Sequence, residues 1–176
     1  MELLVANCEQ MHFLASKILS VLEPGDILGL TGDLGVGKTE FVRGGLRDIC
    51  GDVQVQSPSY ILELEYPVVK QALLERGLEK VVHFDFYRLS GKLEETGLED
   101  FQNRSGELLL VEWPEKVEGV TDLLSHHIKI EFAGSFAEQS FTDGQQATQF
   151  SRVELERKVF LERGFSSSNK DSFSLV

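Results

Sequence analysis

The chain has 176 residues and a formal net charge of −12, with 41% hydrophobic and 26% charged residues. These values suit one compact, soluble domain, and an acidic surface argues against extensive direct contact with nucleic acid because it repels phosphate backbones. No apolar run approaches the ~20 residues needed to cross a bilayer and no signal-peptide pattern is present, so we expect a cytoplasmic protein without membrane contact.

The N-terminal segment predicts a short strand over residues 2–6, followed by an amphipathic helix. Asn7 and Gln10 have the spacing of a capping box, which satisfies backbone N–H groups where a helix begins. Apolar residues then recur at i, i+3 and i+4, the pattern of a helix with one buried face. The residues of this face are Met11, Leu14, Ala15, Ile18, Leu19 and Leu22.

The middle of the chain predicts strands that alternate with helices. Residues 26–30 form a short apolar strand that leads into a glycine-rich loop, and residues 39–49 form the helix after it. Further strands are predicted within 57–67, 81–89, 106–116 and 126–132, the last strand of the chain, with a short helix within 70–80. This order around the sequence GDLGVGKT at 32–39, which has the form of a phosphate-binding P-loop, predicts an α/β fold: a P-loop NTPase-like three-layer sandwich with a central mixed, mainly parallel sheet.

The polar composition after residue 132 predicts a boundary. We expect residues 1–132 to form the P-loop domain and residues 133–176 to form a polar C-terminal extension. Within that extension, residues 153–162 have the composition of a short helix, and the Ser-rich end is typical of disorder.

The glycine-rich loop carries the strongest motif, because GDLGVGKT at 32–39 matches G-x-x-x-x-G-K-[ST] at every position. Backbone N–H groups of such a loop surround a phosphate, Lys38 bridges the β- and γ-phosphates, and the Thr39 hydroxyl binds Mg²⁺. Glu40 follows in the first helical turn, and we expect its side chain to point away from the phosphates. The predicted nucleotide-binding residues here are Gly32, Leu34, Gly35, Val36, Gly37, Lys38, Thr39 and Glu40.

Two acids qualify as partners of this loop, since an NTPase needs a carboxylate that holds Mg²⁺ or orients water. Glu112 ends the apolar run LLLV, as an acid at the end of a central strand does. Asp85 shares one face of its strand with His83 and Tyr87. We expect Glu112 to be the metal-linked acid and Asp85 the second acid or the base that orients water, although either could be a solvated charge at a strand end.

The residues leave three functional classes open. A GTPase is disfavoured because none of the asparagines lies in an N-K-x-D motif. An ATPase fits the loop and the two acids. A small-molecule kinase with Asp85 as base, or a nucleotide-sensing interaction module without turnover, remains an alternative.

The chain also contains, in order, GDLGVGKTEF, SPSY, HFDFYRL, GLEDF and VEWPEK. Over residues 7–132 it therefore closely resembles the TsaE (YjeE) family, the bacterial ATPases of tRNA threonylcarbamoyladenosine biosynthesis. The resemblance implies a single-domain ATPase, weakly active alone, that works with TsaD and TsaB while they modify adenosine 37 of tRNA. Contact with tRNA would be indirect, through the complex, and ATP with Mg²⁺ would be its cofactors.

The resemblance also implies roles for single residues. Residues 34–39 would hold the ATP phosphates, Thr39 and Glu112 would bind Mg²⁺, and Asp85 would assist hydrolysis. The SPSY segment would form a mobile loop near the γ-phosphate, with Ser59 as a contact, and the helix start around Met11 would approach the adenine.

Overall fold

The computed structural model describes residues 1–58, 62–95, 100, 103–134, 156–166 and 173. Its strands are β1 (Glu2–Val5), β2 (Ile27–Thr31), β3 (Glu63–Pro67), β4 (Lys80–Asp85), β5 (Gly91–Lys92), β6 (Glu107–Glu112), β7 (Val117–Glu118), β8 (His126–Phe132) and β9 (Arg157–Arg163). Its α-helices are α1 (Cys8–Leu19), α2 (Lys38–Cys50), α3 (Gln71–Leu74) and α4 (Val120–Leu123). None of these helices is long and apolar enough to cross a membrane.

A seven-stranded mixed sheet in the order β1-β9-β8-β2-β6-β4-β3 forms the middle layer. Strands β8, β2, β6 and β4 are parallel neighbours, while β1, β9 and β3 pair antiparallel at the two sides. The short strands β5 and β7 form a separate pair. The predicted α/β fold with a central mixed, mainly parallel sheet is confirmed.

Successive residues of the central strands enter two different cores, because side chains of a strand alternate between the faces of a sheet. Leu108 and Leu110 of β6 pack in the core that contains the buried faces of α1 and α2. Leu109 and Val111 pack in a second core with Val120 of α4. A strand buried on both faces reads as a continuous apolar run, which is how β6 appears in the sequence.

The predicted capping box begins α1. The Asn7 side chain accepts a hydrogen bond from the Gln10 backbone N–H at 2.9 Å, and the Gln10 side chain accepts one from the Ala6 N–H at 2.8 Å. The predicted apolar face from Met11 to Leu19 is buried.

Glycines allow α1 to lie close against α2. A Cβ at Gly44 would lie 2.4 Å from the Cα of His12. The close approach brings the first turns of α1 beside the loop that precedes α2.

The C-terminal prediction is wrong in one respect. Residues 157–162, expected to be helical, lie in strand β9, which pairs with β1 on one side and β8 on the other. Val159 and Leu161 alternate into the core, and the ladder satisfies the backbone groups that a helix would have satisfied internally. The strand at 126–132 is therefore not the last one.

The expectation of a disordered end also fails at two positions. Phe165 and Phe173 are buried, and their rings contact each other edge to face with centroids 6.0 Å apart. Of the rest of the predicted helix, residues 153–155 lie outside the described residues and Glu156 directly precedes β9.

Candidate functional site

The loop between β2 and α2 has the backbone that its glycines predict. Gly32 has a φ of 136°, and a Cβ there would lie 2.1 Å from the Ile130 carbonyl oxygen. Gly37 has a φ of 115° and directly precedes α2, whose first turn carries no side-chain cap. The loop therefore delivers the positive end of the α2 dipole to a concave surface, as an anion site requires.

Lys38 is folded back over this loop. Its ammonium donates to the carbonyl oxygens of Gly32 at 2.7 Å and Asp33 at 2.9 Å. The same Nζ lies 3.7 Å from the centroid of the Trp113 ring, a cation–π contact. Burial lowers the pKa of Lys38, and nearby carboxylates, Glu112 first among them, oppose this shift.

Thr39 and Glu112 are in direct contact. The Thr39 hydroxyl lies 2.8 and 3.0 Å from the two carboxylate oxygens of Glu112 and donates to them. Glu112 is only 2% exposed, and His83 Nε2 lies 2.9 Å from its Oε1. The buried carboxylate is therefore held by a hydroxyl and an imidazole.

Asp85 lies beside Glu112 because the two residues are register partners in the parallel ladder of β4 and β6. The Ser57 hydroxyl donates to Asp85 Oδ2 at 2.5 Å, and the Tyr87 backbone N–H donates to Oδ1 at 2.9 Å. Asp85 is 4% exposed. Since β4 and β6 are parallel, both acids come to the edge of the sheet at which β2 enters the glycine loop.

A cavity of about 450 Å³ opens at this edge, and its wall includes Lys38, Thr39, Asp85, Glu112, Trp113 and Arg157. A smaller cavity, of about 30 Å³, adjoins the start of α1 and is lined by Asn7, Cys8, Met11, Gly37, Glu40 and Arg157. The two cavities share Cys8, Gly37, Glu40 and Arg157 in their walls and are therefore adjacent. The two cavities together are the candidate groove, which extends from the acids to α1.

Glu40 has two basic partners. His12 Nε2 lies 2.5 Å from its Oε1, and Arg43 pairs with its other oxygen. The Arg43 guanidinium offsets the negative charge that would otherwise repel a phosphate. Glu40 still lines both cavities, and its predicted orientation away from a bound nucleotide stays a prediction.

The structure brings together most of the predicted site. Lys38, Thr39, Asp85 and Glu112 line the larger cavity, as do Leu34, Gly35 and Gly37, and Met11 lines the smaller one. Val36 is fully buried, and its carbonyl oxygen accepts a hydrogen bond from Arg157. Ser59 lies outside the described residues.

Sequence reasoning assigned no role to His83, Cys8 or Arg157. The strand alternation that placed His83 on the face of Asp85 was a usable signal, because Glu112 of the neighbouring strand β6 lies against that face of β4. Arg157 gave no signal, since only the three-dimensional pairing of β9 brings it to the loop.

The residues present fit a magnesium ion. Mg²⁺ prefers oxygen ligands and takes one or two carboxylates plus substrate phosphates rather than a complete protein cage. The Thr39 hydroxyl and the Glu112 carboxylate supply such oxygens side by side. Within the described part of the chain, no group of three or more His, Cys, Asp or Glu side chains could hold a metal ion.

Comparisons with known proteins agree with the sequence resemblance. The family model of threonylcarbamoyl adenosine biosynthesis protein TsaE matches residues 5–141. The TsaE protein of Bacillus subtilis is 32% identical over 112 residues, which cover 64% of this chain and 65% of that protein. The Rickettsia bellii protein is 33% identical over 127 residues, covering 69% of this chain and 81% of that protein.

A third relative, the TsaE protein of Rickettsia felis, is 34% identical over 119 residues, covering 66% of this chain and 64% of that protein. The chain thus spans just under two thirds of the length of the Bacillus subtilis and Rickettsia felis relatives. The crystal structure of YdiB from Bacillus subtilis superposes with a TM-score of 0.64 at 22% identity, covering 98% of this chain and 93% of that one, a likeness of fold. With more than half of its residues matched by the family model, the chain belongs to the TsaE family.

Proposed function

We propose that this protein is a Mg²⁺-dependent P-loop ATPase that acts with TsaD- and TsaB-type proteins in the threonylcarbamoylation of adenosine 37 of tRNA. The observation that carries the proposal is the contact between the Thr39 hydroxyl and both oxygens of the buried Glu112. It joins the end of a phosphate loop to an acid of a neighbouring strand, the pair of groups that nucleotide hydrolysis requires.

The loop and Lys38 bind the phosphates. Backbone N–H groups of the loop and of the start of α2 donate hydrogen bonds to the negatively charged phosphate oxygens. Lys38 exchanges the carbonyl oxygens of Gly32 and Asp33 for the β- and γ-phosphates. That exchange is favoured because a charge-assisted hydrogen bond to phosphate is stronger than one to a neutral carbonyl.

Thr39 and Glu112 would hold Mg²⁺, and the ion would supply positive charge to the phosphate oxygens. The Thr39 hydroxyl keeps its hydrogen directed at Glu112, so that its oxygen lone pairs are available to the ion. His83 Nε2 restrains the Glu112 carboxylate at Oε1, the same oxygen that the Thr39 hydroxyl approaches to 2.8 Å. Such partners fix the orientation of a metal-binding group.

Asp85 orients the attacking water. Its carboxylate is held by Ser57 and by the Tyr87 backbone, so its position does not depend on the nucleotide. A fixed acceptor beside the γ-phosphate position lowers the barrier mainly through orientation. The energy of hydrolysis would then reset the partner complex between rounds of tRNA modification.

The first experiment measures phosphate release from ATP in the presence of Mg²⁺. Lys38→Ala should abolish turnover, whereas Lys80→Ala should keep it, because Lys80 lies at the other end of β4 and pairs with Glu65 and Glu107. Adding TsaD and TsaB should raise the turnover. ATP consumption no higher than that of Lys38→Ala would overturn the ATPase proposal in favour of a sensing module, and transfer of labelled phosphate to a metabolite would favour a kinase.

The second experiment tests the partners. The full chain is immobilised and mixed with purified TsaD and TsaB, with ATP or with no nucleotide. We expect retention of the pair with ATP and its loss in Lys38→Ala. Failure to retain either protein under ATP would contradict the proposed complex while leaving the ATPase activity standing.

A further inference from the structure

Three polar side chains form a series of contacts beside the start of the phosphate loop. Thr31 ends β2 and directly precedes Gly32, the first residue of the loop motif. Its Oγ1 lies 2.9 Å from Nε2 of His127 in β8, and Nδ1 of that imidazole lies 2.9 Å from Oε2 of Glu162 in β9. Glu162 lies beyond residues 5–141, the part of the chain that the family model matches. The contacts therefore tie the start of the loop to a strand outside that match.

The imidazole of His127 is held in one orientation by its two partners. An ionised carboxylate only accepts hydrogen bonds, so Nδ1 carries a hydrogen and donates it to Glu162. In the neutral imidazole Nε2 is then an acceptor, and it receives the hydrogen of the Thr31 hydroxyl. The Thr31 side chain, and with it the peptide that leads into the loop, is thereby restrained from outside the loop.

The start of the loop is also held by Lys38, but that contact is given up when a nucleotide binds. Gly32 has a φ of 136° and the backbone freedom of glycine, and it is packed so tightly against β8 that a Cβ would lie 2.1 Å from the Ile130 carbonyl oxygen. The Lys38 ammonium holds the Gly32 carbonyl oxygen at 2.7 Å. Once Lys38 moves to the phosphates, this restraint is gone, whereas the contact of Thr31 with His127 remains.

We propose that His127 is a positioning residue for the phosphate loop: braced by Glu162, it holds Thr31 and thereby keeps the start of the loop in place around a bound phosphate. The proposal rests on the proposed ATP binding, in which Lys38 leaves the loop carbonyls. It gives the C-terminal strand a part in phosphate binding that passes through the loop backbone and requires no contact with the nucleotide.

The test is isothermal titration of the full chain with ADP, which binds without being hydrolysed. Thr31→Val removes the hydroxyl at nearly constant shape, Thr31→Ser keeps it, and His127→Ala removes both contacts of the imidazole. His126→Gln is the matched control, since His126 is the neighbouring residue of β8 and its Nε2 lies 3.2 Å from Asp26, just before the start of β2. Circular dichroism melts of all variants separate loss of binding from loss of folding.

Thr31→Val and His127→Ala should each weaken ADP binding by about fivefold, the size expected for one lost hydrogen bond, whereas Thr31→Ser should stay within about twofold of the unchanged protein. His126→Gln should also stay within about twofold, whatever its melting temperature. Wild-type affinity in Thr31→Val or His127→Ala would overturn the proposal. An equal loss in Thr31→Ser or His126→Gln would overturn it too, because the loss would then not depend on the hydroxyl or on this imidazole.

A double variant tests the link through the imidazole. Glu162→Gln changes a partly exposed side chain and should weaken ADP binding by about two- to threefold alone, while adding nothing to the effect of Thr31→Val. Unchanged affinity in Glu162→Gln, or a loss that adds in full to that of Thr31→Val, would overturn the bracing of His127. If the unchanged protein bound ADP no better than Lys38→Ala, the proposed function itself would fall, and this inference with it.

Discussion

The parallel centre of the sheet and its C-terminal antiparallel side contribute to the groove in different ways. Strands β2, β6 and β4 all end at the same edge, so each delivers its final residues or its following loop to the site. Strand β9 runs the other way, and therefore its first residue, Arg157, lies beside Phe132 at the end of β8. At the edge of the sheet where the parallel strands end, an antiparallel strand begins, so it contributes its first residue there.

The two regions also differ in the structure that surrounds their buried residues. Leu110 of β6 has a paired strand on each side and a core on each face of the sheet. Leu161 of β9 is buried too, but the outer neighbour of β9 is the short edge strand β1. We expect the centre to be the rigid support of the site and the C-terminal side to be a more adaptable one.

The largest expected effect is on stability and comes from removing buried side chains in the two regions. Leu110→Ala should lower the free energy of unfolding by about 4 kcal/mol and Leu161→Ala by about 2 kcal/mol, because the cost of a cavity depends on how well the surroundings can collapse. Urea unfolding with equal m-values measures the difference. Equal losses for the two variants would show that the C-terminal side is as rigidly packed as the centre.

The next effect separates the two ends of one central strand. Glu112→Gln should reduce ATP turnover by about 100-fold. A neutral amide in place of the carboxylate no longer balances the positive charge of the proposed Mg²⁺ beside the phosphate loop. Glu107→Gln, at the opposite end of β6 beside Lys80 and Arg104, should keep turnover within about twofold. Similar turnover in the two variants would remove Glu112 from the mechanism.

The same contrast explains which parts of the fold and of the candidate site could be predicted from the sequence. The central strands were predictable because burial on both faces produces apolar runs such as LLLV, and because the acids follow those runs. The glycine loop was predictable because its motif is local: residues within one turn fix both its backbone and its chemistry. The contact between Thr39 and Glu112 followed from joining these two patterns.

Strand β9 was not predictable by the same means. The segment VELERKVFLE has apolar residues at spacings that suit a helix, and it also alternates over Val159 and Leu161. Only pairing with β1 and β8, far away in sequence, decides between the two. The position of Arg157 at the phosphate loop depends on that pairing, so it could not be predicted from the sequence either.

A smaller effect is expected on the rate of cysteine labelling at the start of α1. Cys8 is exposed and lines both cavities, whereas Cys50 is buried and burial raises its pKa to about 12. A thiol reagent should therefore label Cys8 and leave Cys50 unmodified in the folded protein. With ADP at about ten times its Kd, labelling of Cys8 should slow about tenfold, as the unliganded fraction falls. Mass spectrometry after timed quenching gives both rates, and labelling unaffected by ADP would exclude the nucleotide from this end of the groove.

The smallest effect lies at the amino end of the parallel centre, away from the groove. Asp26, just before β2, is partly buried, which alone would raise its pKa; hydrogen bonds from His126 and the Glu23 backbone outweigh this and lower it. Because the folded pKa is below the unfolded value of about 3.9, Asp26 stabilises the fold above that pH and the contribution is lost as pH falls through the folded pKa.

Asp26→Asn should therefore be less stable than the unchanged protein near pH 6, by under about 1 kcal/mol because the group is partly solvated. The difference should shrink below about pH 4, while ADP binding stays the same. Urea unfolding across this pH range measures it, with Asp48→Asn, which removes an exposed partner of Lys70, as the control. A stability difference that persisted at pH 3 would mean that Asp26 acts through its shape and hydrogen bonds rather than its charge. A change in ADP affinity would mean that the two ends of the parallel centre are coupled, because the hydrogen bonds of the Asp26 carboxylate go to His126 and the Glu23 backbone rather than to the phosphate loop.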